Sequence, residues 1–345
     1  MRRRLFILVV AILAVLTGCE RRELEYGNAI VDLKLNINLN IRVNGKFERL
    51  PDPEMMRVMF FDPYTYDFVT ETYLPAKGGR VSIAPGYYKF IAYNFDTEAT
   101  LVRNDQNYNT IEAYTNEVSS ALKSTMLNAL RYGKLASTTK AGEEEDVWAM
   151  AIKKVQESAV IYEPDHLFVS HQDIEVKNIS GTQTIEAQAE SVVETWQISV
   201  RIKNEQYMAS ARALLTGQIA SNFIGLPKEE GKTDTDVTLM FDMQAGFDTE
   251  TNDIVIGKFN TFGKNPNVES RLLLTIIIKT VGGDTVSWTR DITDEFMSEE
   301  NIEDQTIEII DETIEITPPD NPTAGGGGFQ PGVDDWEQED IPITI

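Results

Sequence analysis

Cys19 is the only cysteine in the sequence, and its neighbours specify what its thiol is for. Leu16-Thr17-Gly18-Cys19 matches the bacterial lipobox: a branched apolar residue, two small residues that let a peptidase reach the backbone, then Cys. The thiol is the nucleophile that accepts a thioether-linked diacylglycerol. Arg2, Arg3 and Arg4 form a positive segment ahead of the apolar run Leu5 to Leu16. That run is about a dozen residues, roughly 18 Å as a helix, which is too short for the ~30 Å hydrocarbon core of a bilayer. It reads as a signal-peptide core, so residues 1–18 are expected to be removed and Cys19 acylated. Each buried CH₂ contributes about 0.8 kcal/mol, and more than one acyl chain anchors stably.

Other candidate chemistry is weaker. His166 and His171 are five residues apart, which places them on opposite faces of a strand and off the i, i+4 spacing of a helical zinc pair. Asp105, Asn107 and Asn109 mimic the first positions of a calcium loop, but Thr110 stands where Gly is needed and Asn116 where the final Glu belongs. Asp248 to Asp253 reads as a polar turn. No G-x-S-x-G, P-loop or G-x-G-x-x-G occurs, and Gly325 to Gly328 has no strand–helix context. Carboxylates abound, yet none stand out as an acid–base pair. The expectation is a non-catalytic protein without metal or cofactor. A formal charge of −24 argues against nucleic-acid binding, which draws on Lys and Arg to neutralise phosphates. Tyr87, Tyr93, Trp196 and Trp288 sit within strand patterns and read as core or sheet-face residues.

Elements that would position any site are mostly strands. From Leu33 to Val43 apolar and polar residues alternate strictly, predicting one long strand with a single buried face. Short strands at 58–61, 68–74, 81–84 and 87–93 follow, parted by Asp62-Pro63, Lys77-Gly78-Gly79 and Pro85-Gly86. Val118, Leu122 and Met126 make a helical stripe within Thr115 to Arg131, read as one short helix covering a sheet. Ser137 to Asp146 reads as a solvated loop, and a strand at His166 to Ser170 is expected to close the first domain. Beyond Gln172 alternation resumes at 174–176, 182–189, 192–202, 237–243, 254–262, 272–280, 285–292 and 306–316. Gln206 to Phe223 suits a helix or a strand by periodicity alone.

Past Thr317 the composition changes. Pro318-Pro319-Asp320-Asn321-Pro322 and Gly325 to Gly328 predict a flexible linker. After it come Phe329, Val333 and Trp336, then alternating Ile341, Ile343 and Ile345. Such a tail is suited to pairing with a sheet edge.

On these features the chain resembles the lipid-anchored fimbrillin-like proteins of Bacteroidales, specifically the FimB-type anchor subunits of type V pili. The residues that carry the likeness are Cys19-Glu20-Arg21-Arg22-Glu23-Leu24, Met56 to Phe61, Ile83 to Tyr88, Ala92 to Thr97 and Gly326 to Trp336. The resemblance implies an all-β fold of two tandem transthyretin-like antiparallel β-sandwiches, and it favours strands for 206–223. The expected divisions are 1–18 signal peptide, 19–27 lipid-proximal tether, 28–171 first sandwich, 172–317 second sandwich and 318–345 linker and donor tail. It also implies assembly by strand donation to fimbrial stalk subunits. An anchor would retain Ile30 to Val43 as its own first strand and donate the tail bearing Phe329, Val333, Trp336, Ile341, Ile343 and Ile345. Arg42 and Arg49 are residues an Arg-specific protease could use to remove that strand. The implied address is the outer membrane, held by lipid at Cys19 and exposed at the cell surface. A different reading is a surface lipoprotein that binds a glycan or host ligand through loops and exposed aromatics.

Overall fold

The computed structural model describes residues 27–135, 143–248, 252–267 and 270–318. The signal segment, Cys19, much of the 137–146 loop and the tail from Phe329 onward lie outside them. The chain opens with strand β1 (Ala29–Ile37), followed by the hairpin β2 (Asn40–Val43) and β3 (Lys46–Arg49). The strict alternation therefore does not make one strand to Val43. Asn44 and Gly45 both have positive φ, 50° and 68°, and fold β2 back onto β3.

Next come β4 (Met55–Phe61), β5 (Phe68–Pro75), β6 (Gly78–Ile83) and β7 (Gly86–Asn94). With β12 (Phe168–Val176) and β13 (Thr182–Ser191) they form a sheet of order β5-β4-β7-β12-β13-β1-β6. Its two end strands, β5 and β6, are joined by a tight turn at Ala76-Lys77, so the sheet has to curl round on itself. It encloses Val31, Leu33, Leu35, Val58, Phe60, Phe90, Ala92, Val176 and Ala187.

The second sheet contains β14 (Glu194–Lys203), β15 (Met208–Ile219), β17 (Asp236–Asp248), β18 (Asn252–Thr261), β19 (Leu273–Thr280), β20 (Thr285–Asp291) and β21 (Thr306–Glu315). Its order is β10-β20-β19-β15-β17-β18-β14-β21, where β10 is Lys134–Leu135, and β11 (Ala159–Ile161) pairs with β17. The segment left open by periodicity is strand, namely β15 and then β16 (Ser221–Phe223). Trp196, Ile198, Val200, Phe241, Ile276 and Trp288 centre this core.

Three further expectations need correction. The first sheet runs on to Ser191, so a boundary at 171/172 falls inside β12; the change of sheet comes between Ser191 and Glu194. Period-two alternation is the same in both sheets, so it carries no mark of where one ends. The sheets are mixed rather than antiparallel: β1 runs parallel to β13 and β21 parallel to β14. Strands separated by long connections are free of the hairpin constraint. The described residues hold four helices rather than one: α1 (Ser120–Tyr132), α2 (Glu143–Glu157), α3 (Thr293–Met297) and α4 (Glu299–Asp304). The helix α1 covers the second sheet. Its N-terminus is capped by the Ser119 hydroxyl, which accepts the Leu122 N–H at 3.2 Å, and Met126 and Leu130 pack with Leu214, Met240 and Ile277 of the second sheet. No described helix is long and apolar enough to cross a membrane.

Candidate strand-exchange site at the N-terminal strand

β1 is the segment whose sequence pattern pointed to function, and it lies inside its sheet. On one side Ala29 to Lys34 pair antiparallel with β6, and on the other Ile30 to Ile37 pair parallel with β13. Ala29, Val31, Leu33 and Leu35 are buried, while Ile30, Asp32 and Asn36 face outward or lie half-exposed. A fully buried Val or Leu contributes about 1.5–3 kcal/mol relative to exposure, so this alternation both holds the strand and fixes its register. Gly78 makes the approach of β6 possible. Its φ is +90°, and a Cβ there would lie 2.0 Å from the Leu33 carbonyl oxygen. The ladder is extended at its end by the Leu35 N–H donating to Lys77 O at 3.2 Å and the Asn38 N–H donating to Ala189 O at 2.9 Å.

The β2–β3 hairpin ties this strand to the second sandwich. Arg42 reaches Glu303 at 3.1 Å and Asp304 at 2.8 Å, both on α4, and the Gly45 N–H donates to Asp304 O at 2.9 Å. Lys258 of β18 pairs with Glu48 of β3. Arg42 thus has its guanidinium engaged across the two sandwiches. Arg49 is exposed and pairs locally with Asp52.

A third apolar core joins the two sandwiches. Met59, Phe61, Ile91 and Tyr93 from the outer face of the first sheet pack with Ile219, Ile224 and Phe262 from the second half. Above them β16 pairs with β9 (Glu112–Thr115), which pairs with β8 (Thr100–Arg103), so one small sheet is shared by both halves of the chain. Buried charge at this junction is paired. Glu112 is bridged by Arg103 at 2.7 Å and accepts the Ser221 hydroxyl proton. Burial would raise the Glu194 carboxyl, but Lys228 and Lys232 outweigh it and hold the group below its usual range.

His166 is enclosed between the Ser191 and Thr195 hydroxyls at 2.8 and 2.7 Å, and burial pushes its pKa down to about 4, leaving the ring neutral. His171 lies on β12, apart from it. Glu163 has acids rather than a base as its charged neighbours. Burial lifts its pKa to about 7, aided by Asp242 and Asp165, against the Asn260 N–H that donates to it at 2.9 Å. Nothing in the sequence distinguishes Glu163 from other acids; its environment is made by the meeting of two sheets.

Of the remaining candidates, Asp105 is held by Arg57 at 2.8 Å, and Tyr93, Trp196 and Trp288 are buried. Tyr87 is exposed. Cys19 and the tail residues Phe329, Val333, Trp336, Ile341, Ile343 and Ile345 lie outside the described residues. Among the described residues no group of three His, Cys, Asp or Glu side chains is placed to hold a metal.

Residues 18–242 match the family described as Domain of unknown function (DUF5119). A curated relative, the candidate fimbrium anchoring subunit Fim4B of Bacteroides ovatus, is 26% identical over 361 residues, spanning 97% of this chain and 96% of that protein. Among solved structures, a candidate adhesin from Bacteroides ovatus has the same fold, with a TM-score of 0.57 at 21% identity over 88% of this chain and 98% of that one.

Proposed function

This chain belongs to the family described as Domain of unknown function (DUF5119), and from that premise we propose that it is a non-catalytic, lipid-anchored subunit that fixes a fimbria to the outer membrane. The likeness to Bacteroidales fimbrial anchor proteins read from the sequence is borne out by the Fim4B relative. In this reading the two sandwiches are transthyretin-like, Cys19 carries the lipid, and the segment Phe329 to Ile345 is donated as a strand to the adjoining stalk subunit. The observation that carries it is the occupied groove: β1 is paired on both sides and buries four side chains. A subunit whose groove is filled by its own strand has no place for an incoming one, which is the property required of the end of a fibre. Nine residues lie between Cys19 and Ala29, ten steps with a reach of at most ~36 Å, so the first sandwich would stand close to the bilayer. The apolar core and small sheet shared by the two sandwiches suit a part that bears load between membrane and shaft.

The test is deletion of residues 329–345 in cells that assemble fimbriae. Co-purification of stalk subunits is expected to fall to background while the truncated protein stays in the outer membrane. Undiminished recovery would refute donation by this tail.

A further inference from the structure

Beyond anchoring, and independently of it, we propose that the cleft between Tyr64 and Tyr87 on the first sandwich is a binding subsite for a neutral hexose unit of a glycan. Both rings are left to solvent, 83% and 61% exposed. A large aromatic side chain is worth 150–250 Å² of burial, so two held open beside one another need a reason. Between them is an open cleft of about 400 Å³ lined by Pro63, Tyr64, Tyr87, Asp173 and Glu175, within the size range of small-ligand sites.

The cleft is pre-organised. Asp62 accepts the backbone N–H groups of both Tyr64 and Thr65 at 2.8 Å, and the Asp62 N–H donates to Asp67 O at 2.9 Å, fixing the turn that presents Tyr64. Tyr87 stands directly across the ladder from Glu175, and its hydroxyl donates to that carboxylate at 3.3 Å. Two residue pairs further on, and so on the same face, Lys89 reaches Asp173 at 2.8 Å. By contrast, exposed Tyr73 and Phe95 stack edge-on against each other at 5.4 Å and leave no cleft between the rings.

The chemistry matches a sugar. Flat rings take the C–H face of a pyranose, and carboxylate oxygens accept the hydroxyl protons at its rim. A proline-rich peptide would instead need a donor aimed at its carbonyls, and the Tyr87 hydroxyl is already committed to Glu175. Acidic polysaccharides are disfavoured by Asp173, Glu175 and a formal chain charge of −24.

The experiment uses the full chain in a detergent without a sugar headgroup. Titration calorimetry is run with linear hexaoses of glucose, mannose and galactose, an oligogalacturonate and a proline-rich peptide. Saturable binding of at least one neutral hexaose is expected. Tyr64→Ala and Tyr87→Ala should each weaken it at least about tenfold, the loss of one stacking contact of roughly 1.4 kcal/mol. Tyr64→Phe and Tyr87→Phe should keep most of it, and Glu175→Gln should weaken it. Both tyrosines are exposed, so the melting temperature should not move. Absence of binding by every neutral hexaose, binding unchanged in both Ala variants, or preference for the peptide or the oligogalacturonate would each overturn the proposal.

Discussion

The first and last described strands, β1 and β21, are both held parallel to a neighbour, yet their other edges are treated in opposite ways. β1 has β6 on its far side, joined by a backbone ladder over apolar side chains that point inward. β21 is the last strand of its sheet, and the ladder with β14 breaks between Val200 and Arg201, so that Ile309 and Thr313 are paired while residues 310–312 bulge. That bulge is held by side chains from β20. Arg290 donates to Asp311 at 2.7 Å and to Glu312 at 3.2 Å, and the Trp288 indole N–H donates to Glu312 at 3.1 Å. A bulged, charged edge resists addition of another strand. One seam is closed by a resident strand and the other by charge. Neither invites a donor, which supports the reading of a fibre end.

Three variants separate the two kinds of closure. Leu33→Ala and Leu35→Ala should each cost about 2–5 kcal/mol, because both side chains lie in the core between β6 and β13. Urea unfolding would read this directly, and a loss under 1 kcal/mol would mean that β1 is only loosely seated. Arg290→Ala should cost less, about 1–3 kcal/mol, since it leaves Asp311, Glu312 and Glu295 facing one another at a partly wet site. Its specific signature is faster proteolysis at residues 310–312.

The smallest effect concerns the junction and depends on pH. Glu163 has a folded-state pKa of about 7, above its unfolded value, so the folded protein holds that proton more tightly. Its contribution to stability is therefore greatest at low pH, declines as pH rises from the ordinary carboxylate range, and reaches its full penalty above about 7. Glu163→Gln should match the parent near pH 5 and exceed it by on the order of 1 kcal/mol at pH 8. Equal melting temperatures at both pH values would contradict this.

The resident strand was legible in the sequence because burial on one face is written as alternation, and Ala29 to Leu35 follow it. Its end was not, because Leu39, Ile41 and Val43 continue the same alternation past the break at residues 38–39. Helix α2 begins with Glu143-Glu144-Glu145-Asp146, which reads as a solvated loop; the stripe Val147, Ala151 and Val155 was the available signal. The pairing of β1 with β13 joins residues about 150 positions apart, and no local pattern announces such a partner. The Tyr64 and Tyr87 cleft was invisible for the same reason, since Glu175 meets Tyr87 only through the sheet.

Hydrogen exchange on the full chain, with and without excess peptide of the sequence 329–345, tests the central claim most directly. The account predicts that the amides of Ala29 to Ile37 remain as protected as those of β6 and β13, and that added peptide changes nothing. Loss of protection across β1 with retention of the peptide would show that the groove can exchange its strand, and the chain would then not be the closed end of a fibre.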